Sequence, residues 1–277
     1  MKKIMIFSLL VASLSFAACD PIEDREEMTG SITVDQIQAT VTVEQIDGQN
    51  VNKVFFECKS PISCQWTNGV DTKAGASGEM FLLLSGENTI SLNGLCADGS
   101  IVEKNFPINV DKIHYAIDPA YGLLFGSGEK VWKWAETDCL GNGGWRADQQ
   151  GPEWWKLSPT DVEGQMATEG GNATMKFSLI GKKIEFSNGK SGVINFTTGD
   201  ACFNGWYGTF TSTCGVLCGK AFNDCYISAG TMITKYQLVS LTEDRLVLGW
   251  CENETNAEWS GTAGGGSLKP NKMEHGV

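Results

Sequence analysis

Short runs of β-branched and aromatic residues, each followed by a turn dipeptide, recur along most of this 277-residue chain. Between residues 31 and 110 the turn signals are Asp47-Gly48, Asn68-Gly69 and Asp98-Gly99. Dipeptides of this kind favour tight β-turns, and runs repeating at this spacing are typical of sandwich folds. No helical period of useful length interrupts them. The pattern predicts an all-β chain.

The second half of the chain shows the same pattern with clearer alternation. Apolar side chains occupy every second position in Met175, Phe177 and Leu179, and again in Tyr236 and Leu238. Because successive side chains of a strand point to opposite faces, each such strand has one buried face and one exposed face. We therefore expect an antiparallel meander.

Length and pattern together predict two domains, over residues 30–112 and 116–260, with a flexible tail over 261–277. The first segment resembles the PKD-like, immunoglobulin-type domains of Bacteroidetes lipoproteins in its strand count, in Trp66 on a middle strand and in the closing run 106–110. That resemblance implies a β-sandwich spacer, with Trp66 in its core.

The closing hairpin of the second segment carries the most specific motif in the chain. Its matching residues are Tyr236, Ser240, Leu241, Thr242, Asp244, Leu246, Val247 and Leu248. They resemble the end of the lipocalin-like domains of Bacteroidetes surface lipoproteins, which implies an antiparallel lipocalin-like barrel or a jelly-roll-like β-sandwich. Residues 138–171 and the cysteine-rich loop near residue 218 depart from that pattern.

The N-terminus reads as a signal peptide over residues 1–18, because Lys2 and Lys3 precede a short apolar run and then Ala17-Ala18. Cys19 directly after those small residues resembles a lipobox, which implies an acylated thiol. An incidental cysteine in a secretory signal is the alternative. Residues 19–29 are acidic and predict a solvated tether, either a plain linker or a surface-export signal. We expect a protein anchored by lipid in the outer membrane, facing the surface or the periplasm.

Charge and cysteine content narrow the function further. The formal net charge is −12, with the basic residues scattered among carboxylates, so nucleic acid is not an expected partner. Nine cysteines remain after Cys19, an odd number, so at least one thiol is expected to stay unpaired. The group Cys214, Cys218 and Cys225 has no histidine beside it, which favours a local disulfide or buried thiols over zinc. No metal or cofactor is predicted.

Catalytic patterns are scarce. The two histidines, His114 and His275, lie in the interdomain segment and near the C-terminus, so no Ser-His-Asp or Cys-His arrangement is indicated. A glycoside hydrolase needs only two carboxylates, but none here stands in a recognisable motif. No catalytic residue is therefore assigned.

A glycine-rich segment over residues 141–156 contains the indoles of Trp145, Trp154 and Trp155. Its polar side chains include Arg146, Asp148, Gln150 and Glu153. Flat aromatic rings beside amides and carboxylates suit sugar rings and their hydroxyls. The alternative is that these rings cover the core of their own domain.

Trp206 and Tyr207 form a second candidate rim, where binding and packing are not separable from sequence. Trp132 and Trp134 share one face of a strand and are expected in the core. The sequence thus predicts a non-catalytic, lipid-anchored protein that binds a glycan or oligosaccharide. A structural lipoprotein that contacts another envelope protein is the alternative, and glycoside hydrolysis has weak support.

Overall fold

The computed structural model describes residues 30–142, 155–165, 170–199, 201, 205–217, 233–251 and 270–276. A short 3₁₀ helix at Val34–Gln36 precedes two antiparallel sheets in the first part of the chain. One sheet joins β1 (Ala39–Ile46), β2 (Gln49–Cys58) and β5 (Ser77–Phe81). The other has the order β4 (Thr72–Ala74), β3 (Ser63–Thr67), β6 (Gly86–Leu95) and β7 (Ile101–Val110).

The two sheets bury a common aromatic core. Trp66 of β3 is fully buried, stacks on Phe56 at 4.7 Å between ring centroids and lies 5.9 Å from Phe106. Its indole N–H donates to the backbone oxygen of Gly75 at 3.0 Å, so its polar atom is satisfied. The prediction that Trp66 belongs to the core is confirmed. The sandwich expected for this segment is present.

A buried amide is among the groups that hold the segment after β7 to this sandwich. Asn52 of β2 accepts hydrogen bonds from the backbone N–H groups of His114 and Tyr115, both at 2.9 Å. Its own amide donates to the backbone oxygens of Leu82 at 3.2 Å and Tyr115 at 3.1 Å. Helix α1 (Pro119–Phe125) follows, and the side chain of Asp118 caps it.

The second part of the chain forms one large antiparallel sheet. Its strands are β8 (Glu129–Trp134), β9 (Leu140–Asn142), β10 (Trp155–Leu157), β11 (Thr174–Ser178), β12 (Lys183–Phe186), β13 (Ser191–Thr198), β14 (Gly208–Ser212), β15 (Lys235–Leu241), β16 (Arg245–Cys251) and β17 (Pro270–Gly276). Helix α2 (Pro159–Gln165) follows β10, and a 3₁₀ turn at Ile180–Lys182 joins β11 to β12. The sheet order is β10-β9-β17-β16-β15-β14-β13-β12-β11-β8, with an additional pairing between β17 and β8. The sheet is therefore curled and barrel-like, and the all-β fold class is confirmed.

The final strand corrects one expectation from the sequence. Residues 261–277 were expected to form a flexible tail, whereas Pro270–Gly276 form β17. One edge of β17 pairs with β16, and the other pairs with β8 and β9. Its sequence has no β-branched or aromatic run, so backbone pairing to its neighbours, rather than its own side-chain pattern, places it in the sheet.

Aromatic side chains fill the interior of the curled sheet. Trp132 and Trp134 are 0% and 3% exposed, which confirms that both belong to the core. Ring contacts run from Phe125 of α1 to Phe177 at 6.3 Å and from Phe177 to Phe210 at 5.8 Å. These rings pack against one another in the described part of the interior.

The sandwich and the curled sheet touch through the turn between β11 and β12. The N–H of Gly181 donates to the backbone oxygen of Gly69 at 2.6 Å, and Lys182 lies 3.9 Å from a carboxylate oxygen of Asp71. Gly69 has φ of +83° and lies against the side chain of Ile180, so both its backbone conformation and its lack of a Cβ are used there.

Candidate functional site

The strand directions define two ends of the curled sheet. We call the end where β8, β9, β12, β14 and β16 finish the distal end, and the end where they begin the proximal end. The turn at 180–182 that contacts the sandwich lies at the proximal end. Helix α1 also lies there, since the Thr198 hydroxyl at the end of β13 donates to Asp118 at 2.7 Å. The distal end therefore lies on the opposite side of the sheet from these contacts with the sandwich.

Three long connections begin and end at the distal end. Asn142, the last residue of β9, pairs with Trp155, the first of β10, so the segment between them leaves and re-enters the sheet at that end. Strand β10 is an edge strand. The connections from Leu217 to Ile233 and from Cys251 to Pro270 are likewise flanked by residues of this end.

Most of the residues predicted to bind ligand lie outside the described residues. These are Trp145, Arg146, Asp148, Gln150, Glu153 and Trp154. Trp155 is described as the first residue of β10. Lipidation at Cys19 also falls outside the described residues. The strands on either side of residues 143–154 still fix where this segment joins the fold.

The buried rim of the distal end is well defined. Leu217 is fully buried and its N–H lies 3.3 Å from the sulfur of Met175, while Val216 is 5% exposed. Cys214 is 7% exposed and its thiol lies 3.6 Å from the hydroxyl of Ser212. Cys218 and Cys225, which the sequence groups with Cys214, lie outside the described residues. The apolar core thus reaches the base of the distal connections.

Trp206 and Tyr207 lie at the proximal end, between β13 and β14. Trp206 is 7% exposed and packs with Val239 and Val247 on the outer face of the sheet. Tyr207 is half-buried against the main core, and burial raises the pKa of its hydroxyl. This pair, the second candidate rim of the sequence, therefore lies at the opposite end of the sheet from Asn142 and Trp155, which flank the segment 143–154. Ligand binding by the pair stays a prediction.

An exposed aromatic cluster on the sandwich was not found from the sequence. Phe55 and Phe81 are each 40% exposed, and the ammonium of Lys53 lies 5.1 Å from the ring centroid of Phe55 and 5.7 Å from that of Phe81. The ring of Tyr115 lies beside that of Phe81 in a tilted arrangement, with 5.3 Å between their centroids. Strand alternation contained the signal, because Val54 and Phe56 face the core and so Phe55 must face outward.

We call this cluster the Lys53 patch (Lys53, Phe55, Phe81, Tyr115). Two carboxylates bond to its polar groups. Glu79 lies 2.7 Å from the Lys53 ammonium, and this hydrogen bond raises the pKa of Lys53. Glu44 accepts a hydrogen bond of 2.6 Å from the Tyr115 hydroxyl, which raises the pKa of that tyrosine. The patch therefore combines exposed ring faces with fixed polar groups, a composition that suits recognition of a partner.

A groove of about 840 Å³ lies between the sandwich and Ile180. Its lining residues include Asn68, Asn88 and Asn109. The Asn68 amide is already used, since it donates to the backbone oxygen of Phe81 at 2.9 Å and accepts from the N–H groups of Val70 and Asp71. Asn88 likewise donates to two backbone oxygens, so these side chains stabilise turns.

Neither a metal site nor a membrane helix emerges from the part of the chain that is described. No group of three or more His, Cys, Asp or Glu side chains within those ranges could hold a metal ion. No helix there is both long and apolar enough to cross a bilayer. Comparison with protein-family models and with curated proteins finds no match. Fold and site together define an all-β protein built from a small sandwich and a curled, barrel-like sheet.

Proposed function

We propose that this protein is a non-catalytic glycan-binding lipoprotein and that its ligand meets the distal end of the curled sheet. One observation carries the proposal: the segment that contains Trp145 and Trp154 joins the sheet at the end away from the sandwich contact. The connection between Cys251 and Pro270, which contains Trp259, joins the same end. Three indoles thus belong to connections whose flanking residues lie at one end of the sheet.

The chemistry of that segment fits a sugar. Pyranose C–H groups lie flat on an indole face. Sugar hydroxyls donate hydrogen bonds to carboxylate and amide oxygens, and they accept hydrogen bonds from amide and guanidinium N–H groups. Arg146, Asp148, Gln150 and Glu153 supply those groups within a few residues of the tryptophans. Loops at the mouth of a barrel-like sheet are a common place for ligand sites.

The N-terminal sequence supports a protein that is anchored in a membrane with the distal end of the curled sheet pointing away from it. An acylated Cys19 would anchor the chain, the acidic residues to 29 would act as tether, and the sandwich would act as spacer. The sandwich contacts the proximal end of the curled sheet through Gly69 and the turn at 180–182. A chain anchored at its N-terminus would then present the distal end to the surroundings.

Affinity electrophoresis against a panel of soluble polysaccharides tests the proposal. Wild type should be retarded by at least one of them, and Trp154→Ala should weaken binding about tenfold or more, because losing an interface tryptophan costs roughly 2 kcal/mol. The control is Ile101→Ala, an exposed apolar residue of β7 in the sandwich, which should keep the affinity of wild type. Equal retardation of Trp154→Ala and wild type on every retained polysaccharide would contradict the assignment of this loop.

Anchoring is tested separately. Cys19→Ala should abolish incorporation of a labelled fatty acid and move the protein from the detergent phase to the aqueous phase in a detergent partition experiment. Unchanged labelling of the variant would place the acyl group elsewhere, or show a different anchor. The glycan test uses unacylated protein, so the two results stay independent.

A contact with another envelope protein is the second candidate function, and the Lys53 patch favours it. Its two phenylalanines are exposed on the outer face of the sandwich and surround a cation. Phe55→Ala combined with Phe81→Ala should remove a stoichiometric partner from cross-linked, detergent-solubilised envelopes. Retention of that partner would exclude the patch, and Val131→Ala, an exposed apolar residue of β8, serves as the control.

A further inference from the structure

Two cysteines lie at one corner of the sandwich. Cys58 is the last residue of β2 in the three-stranded sheet, and Cys64 is the second residue of β3 in the four-stranded sheet. They are 5% and 8% exposed and belong to the same apolar core cluster. The chain between them crosses from one sheet to the other in five residues.

Backbone hydrogen bonds hold the two cysteines to adjacent residues. The N–H of Cys58 donates to the oxygen of Ala76 at 2.7 Å, and the oxygen of Cys64 accepts from the N–H of Gly75 at 3.0 Å. Consecutive Cα atoms are about 3.8 Å apart, so both cysteines are fastened to one short stretch of chain. A disulfide requires Cα atoms within about 4.4–6.8 Å, so it needs two cysteines that the backbone brings close together, and these hydrogen bonds bring both cysteines to adjacent residues.

The side chains point into the same space. The thiol of Cys58 lies 4.0 Å from the backbone oxygen of Ser60, and that of Cys64 lies 3.5 Å from the oxygen of Ile62. Both oxygens belong to the connection between the two cysteines. The thiols also contact each other, and burial, followed by this contact, raises the pKa of Cys64 to about 12.

We propose that Cys58 and Cys64 form a disulfide that joins the two sheets of the sandwich once the chain meets an oxidising compartment. The oxidant is a disulfide-bearing thiol reagent such as oxidised glutathione. The thiolate of one cysteine attacks that disulfide, forms a mixed disulfide and releases one reduced thiol. The thiolate of the second then displaces the other reduced thiol, so two protons leave the pair and two electrons pass to the oxidant.

Burial of the two thiols determines whether they are oxidised faster during folding or after it. A buried thiol with a raised pKa supplies little thiolate, so the folded, reduced pair should react slowly. Oxidation during folding, before β2 and β3 close over the core, should be faster. Cys139, which is fully buried in the curled sheet and whose pKa burial also raises to about 12, is an internal reference for an inaccessible thiol.

Peptide mapping of the full chain tests the pair directly. The denatured chain is refolded in a buffer of oxidised and reduced glutathione, blocked with N-ethylmaleimide in denaturant and digested with trypsin. Cleavage at Lys53, Lys59 and Lys73 places Cys58 and Cys64 on separate peptides, residues 54–59 and 60–73. We expect these two peptides joined as one species that is lighter than their sum by two hydrogens, and separated by dithiothreitol.

Two further samples make the result decisive. Cys64→Ser should leave Cys58 alkylated or carrying glutathione, with no cross-linked peptide, whether or not the variant reaches the native fold. Folded, reduced wild type transferred to the same buffer should form the cross-link at least tenfold more slowly than the refolding chain. Full alkylation of both cysteines after oxidative refolding, or a cross-link from either to a different cysteine, would overturn the proposal.

Discussion

Replacing Asn52 by alanine tests how the sandwich holds the segment that leads to the curled sheet. Asn52 is fully buried, and its amide makes four hydrogen bonds, all to backbone groups of Leu82, His114 and Tyr115. Alanine keeps the backbone of β2 but removes the amide, so each of these backbone groups loses its hydrogen bond to residue 52. The substitution therefore probes this amide and not the strand that carries it.

The expected cost follows from the number of groups left without a partner. An intramolecular hydrogen bond contributes about 1 kcal/mol net, and a buried group left unsatisfied costs about 1–3 kcal/mol. Four bonds lost at a 0% exposed position should lower the free energy of unfolding of the sandwich by about 3–4 kcal/mol, even where a water molecule enters the small space.

Urea denaturation monitored by hydrogen exchange separates this effect from the rest of the chain. Peptides containing His114 and Tyr115 should lose protection first, and the sandwich should unfold at lower urea than in wild type. Asn105→Ala is the matched control, because that asparagine is exposed and its side chain bonds to the side chains of Ser91 and Glu103 on the surface of the sheet. It should change stability by less than about 0.5 kcal/mol. A loss below 1 kcal/mol in Asn52→Ala, with unchanged protection at 114–115, would refute the reasoning.

Four further variants test other parts of the fold. Cys58→Ser with Cys64→Ser should lower the stability of oxidised protein by about 2 kcal/mol, the chain-entropy value for a loop this short, and dithiothreitol should then have no further effect on the urea midpoint. Gly208→Ala should cost more than 2 kcal/mol, because a Cβ there meets a backbone oxygen of β13 at 1.8 Å, whereas Gly122→Ala in α1 meets nothing within 4 Å and should gain about 0.5–1 kcal/mol in thermal denaturation. The hydrogen bond to Glu79 on β5 raises the pKa of Lys53. The stabilisation that this ion pair gives the fold is therefore fully present below the ordinary pKa of 10.5 and is lost as the pH rises through the raised pKa. In Lys53→Met the free energy of unfolding should no longer fall over this alkaline range. A fall with pH as large as that of wild type would contradict a stabilising ion pair.

Alternation was a reliable guide to the strands, and less so to the helices. Met175, Phe177 and Tyr236 are buried as the period-two pattern predicts. Helix α1 was missed because seven residues are too few to establish a helical period. Its signal was local instead: Asp118 caps the first turn and Pro119 occupies its first position, a pairing that favours a helix start.

The place of the candidate site could not be predicted, because it depends on counting strands correctly. In an antiparallel sheet each added strand moves the next connection to the opposite end. The sequence pattern did not reveal β9, β10, β14 or β17, so it could not say which end each connection leaves from. The composition of the segment with Trp145 and Trp154 was readable, whereas its position opposite Trp206 required the pairing of Asn142 with Trp155.

The packed interior bears on how a ligand could be held at all. A barrel-like sheet can bind a small molecule inside only where side chains leave room. Here Trp132 contacts Phe177, Phe210 contacts Tyr236 and Tyr236 contacts Trp250, with centroid distances of 6.1–6.4 Å, so rings occupy the described interior in succession. Truncating one buried aromatic side chain to alanine costs about 3–5 kcal/mol, so opening space among these rings is unfavourable. A ligand that binds at an end of the sheet avoids this free-energy cost. Of the two ends, the distal one is free of the sandwich contacts described above.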